Sequence, residues 1–184
     1  MSDGTHHVTF VAQHNAKHSR HGKSKAAEPH TGDIAKKAAE TCGSTSRHIV
    51  QEEPITFNDD DIDKRYDDVA NRIHKAVSEQ DTIIDIHGMT DDHGSDVVIG
   101  TGSHTTPSEG DLANRLKTDL EKSGLTVSVN AGEFDATANW TVSGYAESHA
   151  PYPDPTVLQV ELSRSVRDNR SDEVATLLAH AVCT

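Results

Sequence analysis

Residues 81–89 read DTIIDIHGM. Ile83, Ile84 and Ile86 make a short, β-branched, nearly continuous apolar run, the pattern of a strand buried on both faces. The run ends at His87-Gly88, where a glycine lets a backbone or a ligand approach closely. Asp85 stands two residues before His87 and therefore on the same side of the strand. A carboxylate in that position can orient a metal-binding imidazole and raise its basicity. A structural histidine beside a turn gives the same local pattern, so His87 is a candidate metal ligand with that alternative open.

On either side of this stretch, strands and helices alternate. Residues 7–12 (HVTFVA) read as another buried strand, whereas residues 15–27 (NAKHSRHGKSKAA) are basic, polar and without period, as in a mobile loop. A helix is expected over 33–41, with Ile34, Ala35, Ala38 and Ala39 on one side, Thr31 as its N-cap and Gly43 as its stop. A short strand follows at 48–50. Residues 61–79 place Ile62, Tyr66, Val69, Ala70, Ile73 and Val77 at spacings of three and four, which predicts an amphipathic helix. Strands are expected at 96–99, 125–129 and 156–162, and helices at 108–123, stopped by Gly124, and at 171–182. This order predicts one α/β domain over residues 1–184, a three-layer sandwich with helices on both faces of a mixed, largely parallel central sheet. In such sheets a ligand site lies beyond the carboxyl ends of central strands.

Composition narrows the partners. The 184 residues can bury a real core, but 33% apolar and 4% aromatic content makes that core lean and aliphatic. Acidic residues outnumber basic ones by 30 to 17, for a net charge of -13, and are spread along the chain. That describes a solvated acidic surface of the kind found in halophile proteins, and it argues against nucleic acid or anionic membranes as partners. No stretch approaches the roughly 20 apolar residues of a membrane span. The start, MSDGTHHVTF, lacks the basic and apolar regions of a signal peptide, so a cytoplasmic setting is expected. Cys42 and Cys183 have neither metal nor redox spacing; a disulfide between them is left open, with free thiols the expectation there.

Other side chains in this pattern could carry chemistry. His14 follows the first strand as His87 follows its own; an ordinary loop histidine would look alike. Glu28 precedes Pro29 and a helix start, where it could complement the helix dipole or complete a His-Glu-His set, the usual three-ligand zinc site with a position left for water. Glu161 sits in the apolar strand VLQVEL, where an unpaired charge is costly. It reads either as a structural ion pair with Arg164 or Arg167, or as a general base. Those arginines could hold a substrate carboxylate bidentately or form surface ion pairs. His18, four residues after His14, would make a metal pair on a helix, but its polar, glycine-containing surroundings are poor helix material.

Four stretches in this order resemble the N-formylglutamate amidohydrolase and poly-γ-glutamate hydrolase group, relatives of the zinc carboxypeptidases. They are VTFVAQH ending in His14, EPHTGDIAKKAA with Glu28, Thr31, Ile34 and Ala35, DTIIDIHGM with His87, and VLQVELSRSVRDN with Glu161, Arg164 and Arg167. The resemblance implies a zinc carboxypeptidase-like sandwich with one Zn2+ held by His14, Glu28 and His87. It implies Glu161 as the catalytic base and Arg164 or Arg167 as the anchor of a glutamyl carboxylate, the substrate being a small molecule or a γ-glutamyl polymer. In these relatives the first histidine and the glutamate stand close together; here thirteen residues, 15–27, separate them and read as an inserted loop. His30 replaces the usual glycine and, like His18, is a competing ligand.

The function expected is therefore zinc-dependent hydrolysis of an amide bond in a glutamate-containing substrate. The alternative is a non-catalytic metal-binding or metal-buffering protein, suggested by six histidines within the first 30 residues and using His6, His7, His18 and His21.

Overall fold

The structure, a computed structural model, describes residues 7–151 and 154–183; His6 lies outside them. In chain order the elements are β1 (Val8–Ala12), β2 (His18–Arg20), β3 (Lys23–Lys25), α1 (Thr31–Cys42), β4 (Ser46–Val50), α2 (Asp68–Ser78), β5 (Thr82–Gly88), β6 (Val97–Gly100), α3 (Pro107–Lys122), β7 (Val127–Val129), α4 (Val142–His149), β8 (Val157–Leu162) and α5 (Arg164–Cys183). Six strands form one sheet in the order β4-β1-β5-β8-β6-β7. Every neighbouring pair is parallel except β6 with β8, so the sheet is mixed and largely parallel, as expected. Among the described residues no helix is long and apolar enough to cross a membrane.

Strand alternation decides what each face buries. Phe10, Ile84, Ile86, Leu158, Val160 and Leu162 point to one side and pack against α1, α3 and α5. Val11, Ile49, Ile83 and Val157 point to the other and pack against α2 and α4. Toward the carboxyl ends of β5 and β8 this second face turns polar: Asp85 and His87 follow Ile83, and Gln159 and Glu161 follow Val157, all buried. A functional site on this face thus begins where its apolar packing stops.

Local chemistry sets the helix limits. Thr106 and Glu109 form a reciprocal capping box behind Pro107 at the start of α3. Asp67 caps α2 by accepting from the Ala70 amide, which starts that helix at Asp68 rather than near residue 61. Ile62 is instead buried in a single 3-10 turn, and Tyr66 is 86% exposed rather than part of an apolar stripe. Thr31 is not the N-cap of α1: its hydroxyl donates to the Glu28 carbonyl, and His30 takes the cap position with a φ of 68°. The sequence reading missed α4 and the first turns of α5, which is interrupted at Arg170.

Two further expectations are corrected. Residues 15–27 do not form a structureless loop; His18, Ser19 and Arg20 pair antiparallel with Lys25, Ser24 and Lys23. The turn is His21-Gly22, both at positive φ, as a tight hairpin requires. The cysteines are not free thiols: Cys42 and Cys183 form a disulfide between the ends of α1 and α5, their Cα atoms 5.7 Å apart.

Candidate active site

His14 leaves the end of β1, and Glu28 comes back to it. The Glu28 amide donates to the His14 carbonyl at 2.9 Å, so the β2–β3 hairpin bulges out between two residues that meet at its base. This resolves the thirteen-residue separation in the sequence. His87 arrives from the neighbouring strand β5. Its Nδ1 lies 3.0 Å from Nδ1 of His14 and 3.5 Å from Glu28 Oε2, and Glu28 Oε1 lies 3.6 Å from His14 Nδ1. One donor atom from each of the three lies within 4.8 Å of the others. Glu28 is held in place by the Gly88 amide, which donates to its Oε2 at 3.0 Å.

Behind each imidazole stands a buried carboxylate. Nε2 of His87 faces Asp85 Oδ2 at 2.9 Å, and Nε2 of His14 faces Asp59 Oδ2 at 3.0 Å. Both rings therefore turn Nδ1 inward and Nε2 toward an aspartate, the arrangement that fixes ring orientation in metal sites. The fit to zinc is good on donor chemistry: two neutral-capable imidazoles and a carboxylate, with support behind each ring. Sequence reasoning found Asp85 by its spacing from His87. It missed Asp59, one of several acidic residues in FNDDDID with nothing in the sequence to mark it out, yet fully buried in the structure. Backbone bonds from Ile55 to Lys17 and from Asp59 to Ser19 lay that segment along the hairpin.

The electrostatics separate the two histidines. Burial, the neighbouring His87 and Arg20 hold the His14 pKa well below the ordinary value. Burial also opposes charging of His87, but Asp85 and Glu28 outweigh it and raise its pKa well above the ordinary value. Glu161, in register with His87 on the adjacent strand, is pushed up to about 8 by burial, with Glu28 and Asp85 adding repulsion and His87 opposing. A divalent cation at the three donors would lower that value, because it favours a nearby carboxylate in its charged form.

Glu161 is not locked in an ion pair. Its Oε1 accepts from Gln159 Nε2 at 3.0 Å, and it lines a cleft of about 680 Å³ together with Glu28, His87, Arg20, Trp140 and Arg164. The two expected anchors differ from one another. Arg167 is buried, and its Nε, Nη1 and Nη2 donate to the carbonyls of Leu162, Pro29 and Met89 at 3.1, 2.8 and 3.2 Å. It staples the ends of β8 and β5 to the segment carrying Glu28. Gly88 makes room for it, since a Cβ there would lie 2.6 Å from its guanidinium carbon. Arg164 is exposed at the rim, 3.4 Å from Asp168.

The other histidines divide. His18 stacks on His14 with ring centroids 4.2 Å apart and forms a second cluster with His14 and Asp59. His30 pairs with Asp33 and Asp168, away from the three converging donors. His21 pairs with Asp60 on the surface.

No family model and no curated protein matches the chain. Solved structures do match it in fold. An N-formylglutamate amidohydrolase from Ralstonia eutropha JMP134 aligns with a TM-score of 0.64 at 12% identity, over 98% of this chain and 93% of that one. A zinc-free form of YNDL gives a TM-score of 0.57 at 12% identity, over 95% and 83%. A bacteriophage poly-γ-glutamate hydrolase gives 0.54 at 14%, over 95% and 82%. The three-layer fold implied by the sequence resemblance is thus the fold observed.

Proposed function

We propose that this chain is a zinc-dependent hydrolase that cleaves an amide bond in a glutamate-containing substrate, of the N-formylglutamate or γ-linked polyglutamate kind. The observation that carries the reading is the convergence of His14, Glu28 and His87 at the floor of a cleft, with Glu161 beside them and unpaired with any arginine. The fold shared with an N-formylglutamate amidohydrolase, a poly-γ-glutamate hydrolase and a protein known in a zinc-free form supports it.

His14, Glu28 and His87 would hold the metal, with Asp59 and Asp85 orienting the two rings. Bound there, zinc supplies Lewis acidity toward water and toward a substrate carbonyl. Glu161 takes the proton of the attacking water and delivers it to the departing nitrogen, the two halves of general acid–base work on one carboxyl. Its buried, Gln159-tethered position suits that role, because burial makes the carboxylate a stronger base than an exposed one. The Cys42–Cys183 bond argues against the cytoplasmic setting expected from the sequence, since disulfides persist mainly in oxidising compartments.

The test is metal analysis of the purified protein, followed by assays for formate release from N-formyl-L-glutamate and chain shortening of poly-γ-glutamate. One zinc per chain is expected. Glu161→Gln should lower kcat by about 10²–10⁴-fold and keep the zinc. Wild-type protein that cleaves neither substrate, or a Glu161→Gln variant as active as wild type, would sink the proposal.

A further inference from the structure

Three arginines reach the cleft, and their donors are committed differently. Arg167 has each of its three nitrogens on a backbone carbonyl. Arg164 stands at the rim, its side chain 70% exposed, beside Asp168. Arg20 is carried on β2, in the hairpin that separates His14 from Glu28. Its side chain is only 16% exposed, and its guanidinium lies over the Trp140 ring, 4.7 Å from the centroid. That stacking fixes a cation without using its hydrogen-bond donors. Nη2 rests against His14, 3.0 Å from Nε2, and Nε lies 3.6 Å from Asp59 with no hydrogen bond of its own. Nη1 makes no hydrogen bond to any described residue.

Beside this guanidinium is a recess of about 110 Å³, lined by Arg20, Trp140, Phe134, Gln159 and two carboxyl side chains, Glu133 and Glu161, so Arg20 is its one cationic group. Arg20 is ion-paired with Asp59 through Nε and touches both ring nitrogens of His14 through Nη2, which leaves Nη1 uncommitted; beside the proposed base, that donor fits an anion on the substrate, close to the bond that breaks. We infer that Arg20, in place of Arg164 and Arg167, binds the α-carboxylate on the carbon that carries the scissile nitrogen; this rests on the amide-hydrolase reading above.

The chemistry of the two substrate kinds supports one shared anchor. In N-formyl-L-glutamate the scissile nitrogen sits on the carbon bearing the α-carboxylate. In γ-linked polyglutamate the nitrogen released at each cut also sits on such a carbon. Because Arg20 touches the ring of His14, an anion it holds belongs to the same residue as the scissile nitrogen, not to one further along a polymer. A guanidinium fork matches a carboxylate bidentately, which an ammonium cannot do. The hairpin between His14 and Glu28 then has a function: it carries the specificity determinant to the metal donors.

The test is calorimetric titration with L-glutamate, the amine product of N-formyl-L-glutamate and the repeating unit of the polymer, and with L-isoglutamine, in which the α-carboxylate is an amide. Both are run on zinc-loaded and on chelator-treated protein. Wild type should prefer L-glutamate by about 10–100-fold, as for a charge-assisted hydrogen bond. Arg20→Gln should abolish the preference and keep the zinc, and Arg20→Lys should retain part of it. With N-formyl-L-glutamate, Arg20→Gln should raise KM and leave kcat within about threefold, the mark of lost uniform binding. Thermal melts of both variants establish that they are folded. The proposal is overturned if wild type shows no preference, if the preference survives in Arg20→Gln, or if Arg164→Gln removes it instead. Hydrolysis by wild type with no effect of Arg20 would overturn this inference alone. An Arg20-dependent preference for L-glutamate without hydrolysis of either substrate would overturn the hydrolase reading and leave the anion site standing.

Discussion

The two faces of the central sheet are made by the same strands and differ in what they tolerate. Along β5, Ile84 and Ile86 point into a layer closed by α1, α3 and α5, while Ile83, Asp85 and His87 point the other way. Across β1, β5, β8 and β6 the first face is apolar. The second is apolar under α2 and α4, then collects His14, His87, Glu28, Asp59, Asp85, Glu161 and Gln159 at its carboxyl edge. Buried charges are costly unless paired or ligating, so a sheet that carries them needs a strong dry side to hold its register. A slip of one residue would exchange the two faces. The dry face therefore supplies rigidity and the wet face supplies chemistry.

Substitutions can break that division. The largest expected effect is on the dry side: Phe10→Ala should cost about 3–5 kcal/mol and lower Tm by roughly 6–20 °C. The zinc bound per folded chain should stay the same. A calorimetric melt paired with metal analysis checks this, and loss of zinc from folded protein would mean that the faces are not separable.

The next effect depends on pH. Glu161 holds its proton in the fold up to about 8, against an ordinary value of 4.5. Folding is therefore favoured below the lower value and loses that contribution as pH rises toward the upper one. His87, also raised, acts with the same sign. Chelator-treated wild type should lose stability between pH 5 and pH 9, by a few kcal/mol at most. Glu161→Gln should lose less, because it removes one of the groups that carry that proton linkage. Equal losses in urea titrations of the two proteins would show that Glu161 is not strained in this way.

The smallest effect concerns the carboxylates behind the rings. Asp85→Asn and Asp59→Asn should each weaken zinc binding by about 10–100-fold, measured by competition with a chelating dye. A silent Asp59→Asn beside an effective Asp85→Asn would show that the two histidines are not equivalently supported.

The same contrast explains what the sequence disclosed. β5 and β8 were legible because each is an apolar run interrupted by a few polar residues, so His87, Asp85 and Glu161 stood out. Glu28 was found only through the ordered resemblance, since nothing in its neighbourhood says that the chain returns to His14. Arg20 and Asp59 were illegible for a common reason. Both lie in polar segments without period, and only their docking on each other and on Trp140 buries them. Arg167 was noticed for its charge, but its three nitrogens are taken up by carbonyls; a guanidinium so engaged reads in sequence like one that binds a ligand. Tyr66 fitted a helical spacing that the Asp67 cap cut short.

The disulfide has a mechanical consequence. α1 starts just after Glu28 and α5 just after the strand bearing Glu161, so both helices spring from the lips of the cleft and run away from it. Cys42 and Cys183 rivet them together at their far ends. The pair is thus clamped at both ends, by the disulfide here and by Arg167 beside the cleft, so the spacing of the proposed ligand and the proposed base is held from two sides.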